Sequence, residues 1–203
     1  MLYFIPSTNL KHTYSEHFGA IVVPSKRPSG SGILFAKSGR PWICDNGAFK
    51  GNFDESVFFS FLETMYEYRN KCVFAVAPDV VGDAKSTIAL YESFSERIRK
   101  ADYKVAFVAQ DGQENLPLPR DFDAMFVGGS TRWKLSSAAD ECISRAKQLG
   151  KWVHVGRVNS RKRVVHFALV GVDSVDGTHI VYKPDVHKEA ITRWMQEKVL
   201  FQL

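Results

Sequence analysis

Aspartates, an amide and paired glycines recur in this chain at one kind of place, directly after a short apolar run. Asp45 follows PWIC, Asp79 follows CVFAVAP, Gln110 and Asp111 follow KVAFVA, Gly128-Gly129-Ser130 follow AMFV, and Gly156-Arg157 follow KWVHV. The last such group is GVDSVDGTHI, where Asp173 and Asp176 stand three residues apart after ALV. Carboxylates gathered at one site can act as nucleophile, general acid or general base, provided their environments differ. A phosphate would want helix N-termini and basic side chains. Carboxylates, an amide and a Gly-Gly opening suit a flat heterocycle with several donors and acceptors, such as a purine.

The apolar runs must position these groups. LYFIPS, GAIVVPS, PWICDNG, CVFAVAPD, KVAFVAQDG, AMFVGG, KWVHVGR and ALVGVDS read as eight strands with turn or polar residues at their exits. Helical patterns lie between the later ones. The first runs from Asn52 to Asn70, with Asn52 and Glu55 at capping-box spacing and Phe58, Phe61, Leu62, Met65 and Tyr66 on one face. Asp83 caps a second, in which Ala84, Ile88, Tyr91, Phe94 and Ile98 recur through Lys100, and a third runs from Ser136 to Leu149 with Gly150 placed to stop it. Two more cover Ser160 to Leu169 and Asp185 to Leu200. Strands alternating with helices imply parallel pairing through right-handed crossovers, and eight of them predict a compact (β/α)8 barrel. Loops are expected in place of crossover helices after the first two strands, as in Ser25 to Arg40. An open doubly wound sheet is the alternative, although no Gly-x-Gly-x-x-Gly turn follows the first strand. In a barrel the strand exits converge on one mouth, so the polar groups would meet there.

Composition narrows the class. At 203 residues and 45% hydrophobic content the chain reads as one domain over residues 1–203 with one sizeable core. Cys44, Cys72 and Cys142 are odd in number and far apart, which fits neither a disulfide framework nor a zinc knuckle and suggests a reducing compartment. The first residues show no basic region before an apolar stretch, and no run approaches membrane-spanning length. A soluble, unexported, cytoplasmic protein is expected. A formal charge of +5 permits a polyanionic partner without requiring one.

The ordered set DNGAF, APDV, VAQDG, FVGGS, HVG and GVDSVD resembles the tRNA-guanine transglycosylases, also called queuine tRNA-ribosyltransferases. Asp45-Asn46-Gly47-Ala48-Phe49-Lys50 is similar to that family's Asp-Ser-Gly-Gly-(Tyr/Phe)-Gln motif at the aspartate, the first glycine and the aromatic. The resemblance implies Asp45 as acid and base, Phe49 as the ring that stacks on the substrate base, and Asp79, Gln110, Gly128, Gly129 and Gly156 as base contacts. It places Asp176 at the nucleophile position, attacking C1′ to displace guanine and hold a glycosyl-enzyme until a deazaguanine base replaces it. The target nucleotide would have to leave its stack to reach the mouth.

The family's tRNA-acting members carry a zinc motif, Cys-x-Cys-x-x-Cys with a later His, that has no counterpart here, and Gly177-Thr178-His179 replace a cysteine and a Pro-Thr-Arg. The resemblance is therefore nearer to short, zinc-less phage-type DNA transglycosylases. The expected partners are DNA, with tRNA as the alternative, and a free cyano- or aminomethyl-deazaguanine; no cofactor, metal or membrane is expected. Arg132-Trp133-Lys134, Arg157 and Arg161-Lys162-Arg163 are candidate nucleic-acid contacts, with Trp133 stacking on an exposed base; the plain alternative is solvated helix starts. His154 reads as a satisfied strand histidine and Asp173 as structural. A nucleosidase with water as acceptor, and a binder without turnover, are the competing classes.

Overall fold

The computed structural model describes residues 1–6, 14–26, 31–48 and 53–197. Eight parallel strands close into a barrel in chain order. They are β1 (Leu2–Pro6), β2 (Phe18–Val22), β3 (Trp42–Cys44), β4 (Cys72–Val76), β5 (Val105–Ala109), β6 (Ala124–Val127), β7 (Trp152–Val155) and β8 (Ser174–Asp176). β1 pairs with β2 on one side and β8 on the other, which closes the ring. The fold is a (β/α)8 barrel, and the open sheet is ruled out by that last pairing. Around it run α1 (Ser31–Lys37), α2 (Glu55–Thr64), α3 (Ala84–Lys100), α4 (Thr131–Lys134), α5 (Ser137–Gln148), α6 (Arg161–Val170), α7 (His179–Tyr182) and α8 (Pro184–Gln196).

Period-two alternation divides the strand residues between two layers. Phe4, Ile21, Ile43, Phe74, Val76, Ala106, Val108 and Ala124 pack together inside the barrel, with Leu2, Phe126 and Trp152 against them. Their neighbours Tyr3, Ile5, Ala20, Trp42, Phe107, Met125, Val153 and Val175 face the helices and join a larger cluster with Phe58, Phe61, Leu62, Tyr91 and Ile143. Helix starts follow local capping. The Asp83 side chain accepts from Ser86 N at 3.0 Å at the head of α3, as the sequence predicts. At α2 the cap is Asp54, which accepts from Val57 N at 3.1 Å; the expected cap Asn52 lies outside the described residues.

Three expectations need correction. The segment Ser25 to Arg40 contains α1, because Ile33 and Ala36, three residues apart, form a buried helical face within Ser/Gly-rich surroundings. The helix expected through Asn70 ends at Thr64 and continues as a 3-10 turn over Tyr66–Lys71, which leaves Tyr66 exposed beneath the Arg69 guanidinium. The eighth strand is SVD and not ALVGVDS. Ala168, Leu169 and Val170 finish α6, whose buried face is Val164, Phe167 and Ala168, and Gly171 ends the helix in the left-handed conformation at φ 91°. A glycine that looks like a strand residue is here a helix stop.

This shift moves Asp173 to the opposite end of the barrel from the mouth. Its backbone carbonyl accepts from Leu2 N at 2.8 Å, while its carboxylate takes Val153 N at 2.7 Å and Lys147 Nζ at 2.8 Å. Asp173 thus stitches β8 to both neighbours at the floor. Asp173→Ala should lower stability by about 1–3 kcal/mol, since the Val153 amide loses its side-chain acceptor. Urea unfolding measures this.

Candidate active site

The carboxyl ends of the strands surround a cavity of about 140 Å³ lined by Ile21, Asp45, Asn46, Val76, Asp79, Val81, Val108, Gln110, Phe126, Gly128, Gly129, Lys134, Gly156, Arg157 and Asp176. The structure therefore brings together the predicted Asp45, Asp79, Gln110, Gly128, Gly129, Gly156 and Asp176. Phe49 lies outside the described residues.

Asp176 owes its position to alternation. Ser174 and Asp176 follow one another on the inward side of β8, and His154 holds the same side of β7, paired in register with Ser174. The His154 ring is fully buried; its Nε2 lies 3.1 Å from Asp176 Oδ2 and its Nδ1 2.9 Å from Ser174 Oγ. Trp152 Nε1, which can only donate, gives its proton to Ser174 Oγ at 2.9 Å. Assigned from this bonding pattern, a neutral imidazole with its proton on Nε2 satisfies every partner: Ser174 donates to Nδ1, and Nε2 donates to the carboxylate. The other oxygen of Asp176 accepts from Arg157 N at 3.2 Å. That amide is aimed inward by a left-handed backbone at Arg157, φ 61°, a conformation a non-glycine residue adopts at a cost and one common at functional sites.

Asp45 is a different carboxyl. Burial, and then the nearby charge of Asp176, push its pKa up to about 6, against the pull of the Asn46 and Gly47 amides. Asp79 is raised too, mainly by burial, and is gripped from both sides: Asn46 Nδ2 donates to Oδ1 at 2.7 Å and Gln110 Nε2 to Oδ2 at 2.6 Å. Two amides leave the carboxylate with acceptor capacity toward the cavity.

The glycines act through missing side chains. Gly128 N donates to Ala109 O at 2.9 Å and Gly129 N to Gln110 Oε1 at 2.9 Å, so the backbone amides expected to meet a base carbonyl are already engaged within the protein. A Cβ on Gly128 would fall 2.8 Å from Gln110 Nε2, and one on Gly156 would fall 2.8 Å from the Phe126 ring and 3.3 Å from Asp176 Oδ2. Glycine at both keeps the cavity open.

The candidate nucleic-acid contacts separate. Arg132, Arg157, Arg161 and Lys162 are exposed. Arg161 is paired with Glu197 at 2.8 Å, and Arg157 donates to Gly129 O at 2.9 Å. Trp133 is 7% exposed with its indole N–H on Glu114 at 2.8 Å, so it is not a stacking platform. Lys134 is buried and lines the cavity, its Nζ on Gly156 O at 2.7 Å. His154 is the satisfied strand histidine that the sequence suggests, with both ring nitrogens bonded, whereas the places of Asn46 and Lys134 in the cavity wall were missed. Among the described residues no three His, Cys, Asp or Glu side chains gather as metal ligands, and no helix is long and apolar enough to cross a membrane.

No protein-family model matches the chain, and no curated protein matches its sequence. Solved structures do match in shape. 3-Hexulose-6-phosphate synthase from Salmonella typhimurium aligns at 14% identity over 98% of this chain and 100% of its own, with a TM-score of 0.59. A mandelate oxidase variant aligns at 12% identity over 96% of this chain and 72% of its own, also with a TM-score of 0.59. These likenesses establish the barrel. They overturn the resemblance to the tRNA-guanine transglycosylases: the structures matched are TIM barrels of other kinds, and no family model supports the short motifs. The physical reason is that strands of a parallel barrel commonly leave the mouth through turn-forming residues such as Asp and Gly, so an ordered series of such exits reports the fold before it reports kinship.

The raised pKa of Asp45 has a stability consequence. Its value is about 6 folded against an ordinary 3.8, so the folded state holds the proton more tightly. That contribution is complete below about pH 4 and is lost as pH rises through about 6. Asp45→Asn, which has no proton to lose, should gain on the wild type by about 2–3 kcal/mol between these limits and then level off. Urea unfolding at fixed ionic strength checks this, and a difference independent of pH would place the pKa elsewhere.

Proposed function

We propose that this chain is an enzyme that exchanges guanine for a 7-deazaguanine base in DNA through a covalent glycosyl-aspartate. The observation that carries the proposal is two unlike carboxyls in one cavity: Asp176, held by His154 and the Arg157 amide, and Asp45, pushed up to about 6 by burial and by Asp176 itself. Environments that drive two acids apart assign them different roles. Asp176 attacks C1′, forming a C–O bond as the C1′–N bond breaks; the electron pair leaves with guanine, which takes the proton of Asp45. The incoming base returns a proton to Asp45, its nitrogen attacks C1′, and Asp176 is released. Two displacements retain configuration. Asp79, fixed by Asn46 and Gln110, suits the adjacent N–H donors of a guanine edge, and Val81 and Phe126 supply apolar surface for a flat ring. Exposed Arg132 and Lys162, with the net charge of +5, support a polyanionic substrate.

The test mixes the protein with labelled guanine and duplex DNA, single-stranded DNA or tRNA. Label should enter DNA; uptake into tRNA alone would change the substrate, and base release without uptake would make the protein a nucleosidase. Asp176→Asn should abolish exchange and the adduct, read by intact mass on denaturing gels, while still binding base. In single turnovers, guanine release by the wild type should fall about tenfold per pH unit above about 6, as Asp45 loses its proton, and Asp45→Asn should be slow and lack that dependence. Exchange by the wild type with no adduct would sink the double displacement.

DNA affinity should fall with salt. Arg132→Ala and Lys162→Ala should each reduce the slope of log affinity on log salt by about 1. Unchanged slopes in filter binding would remove these residues from the DNA path.

A further inference from the structure

Lys134 is a charged group of the cavity wall that the exchange chemistry does not use. It is 4% exposed, at the end of α4, and lines the cavity together with Asp45, Asp79 and Asp176. The segment carrying it is fixed: Asp111 accepts from Ser130 N at 2.7 Å and Ser130 Oγ at 2.6 Å, Ser130 Oγ caps Trp133 N, and the Trp133 indole is tied to Glu114. An ammonium has three donors, and the structure gives this one a single acceptor, Gly156 O at 2.7 Å. Among the described residues no carboxylate lies within ion-pair distance of Nζ. Asp176 and Asp111 act on it only at longer range, opposed by Arg157 and Arg163. A buried cation with unused donors needs an acceptor, and a cavity-facing one can take it from the ligand.

We propose that Lys134 selects the incoming base by its ring substituent, favouring a hydrogen-bond acceptor such as a nitrile or a carboxylate and rejecting an ammonium. This rests on the base-exchange reading and narrows its substrate. A phosphate is a poorer occupant, because Lys134 is enclosed in the cavity wall while the exposed Arg132, Arg161 and Lys162 lie outside the cavity. Burial and Arg157 push the amine down to about 8, which leaves it mostly protonated at neutral pH and repelling a second cation.

Calorimetric titration of the full chain with free 7-deazaguanine and its 7-cyano, 7-carboxy and 7-aminomethyl derivatives tests this. The cyano and carboxy bases should bind about tenfold or more tightly than the unsubstituted one and the aminomethyl base about tenfold more weakly, the scale of a charge-assisted hydrogen bond. Lys134→Met, close in shape, should bring all four within about threefold, and Lys134→Glu should favour the aminomethyl base. Wild type that binds all four alike, or a Lys134→Met variant that keeps the wild-type ranking, overturns the assignment while leaving base exchange standing. If the folded wild type binds none of the four, the base-exchange reading falls and this one with it. Should Lys134→Glu fail to fold, the Met variant alone decides.

Discussion

His154 sits in the middle of the barrel with no exposure, its ring centroid 4.6 Å from that of Phe126 and 5.7 and 5.8 Å from those of Phe4 and Phe74. A polar ring in such a place is costly unless both nitrogens are bonded. The β7–β8 pairing supplies both partners, Ser174 on one side and Asp176 on the other. The requirement to satisfy one interior histidine therefore sets the rotamer of the carboxylate at the mouth. It also explains the polar column on β8, where β1 to β6 turn apolar residues inward. Trp152 completes the chain from the floor, so the position of Asp176 is supported from within the barrel rather than by a loop.

The rest of the cavity is organised by how its carboxyls are partnered. Asp176 has the imidazole and a backbone amide, Asp79 has two side-chain amides, and Asp45 has backbone amides together with the field of Asp176. Equal partners would leave equal acids and no division of labour. The unlike sets leave Asp45 with its pKa pushed up to about 6. Such an arrangement opposes stability, as does the left-handed backbone at Arg157, and the surrounding network of Asn46, Gln110 and Gly129 holds it in place.

The basic residues show how tertiary context reassigns a pattern. Arg132, Trp133 and Lys134 read as one surface cluster, yet α4 turns successive side chains about 100° apart. Arg132 goes to solvent, the Trp133 ring to Glu114 and the core, and the Lys134 amine to the cavity. One short helix thus sends three neighbouring residues to three environments.

Much of the fold was legible because it rests on local chemistry. Apolar runs of strand length ending in turn residues marked β1 to β7, helical spacing with Asp83 and Ser136 at helix starts marked α3 and α5, and their alternation implied a barrel whose exits collect Asp45, Asp79, Gln110 and Asp176. The misses lie where local signals were ambiguous: α1 hides its apolar face in a Ser/Gly-rich stretch, and Ala168 to Val170 has the composition of a strand but the capping glycine of a helix. The sequence by itself determined that Asp45, Asp79, Gln110 and Asp176 reach the mouth, since strand ends and the period of two are written in neighbouring residues. Only the tertiary structure decided what those residues can do there: the partners of Asp176 come from β7 and its exit, those of Asp79 from the ends of β3 and β5, and Lys134 enters the cavity because α4 packs over Gly156. Protonation and hydrogen bonding depend on neighbours distant in the chain, and those exist only once the barrel has closed.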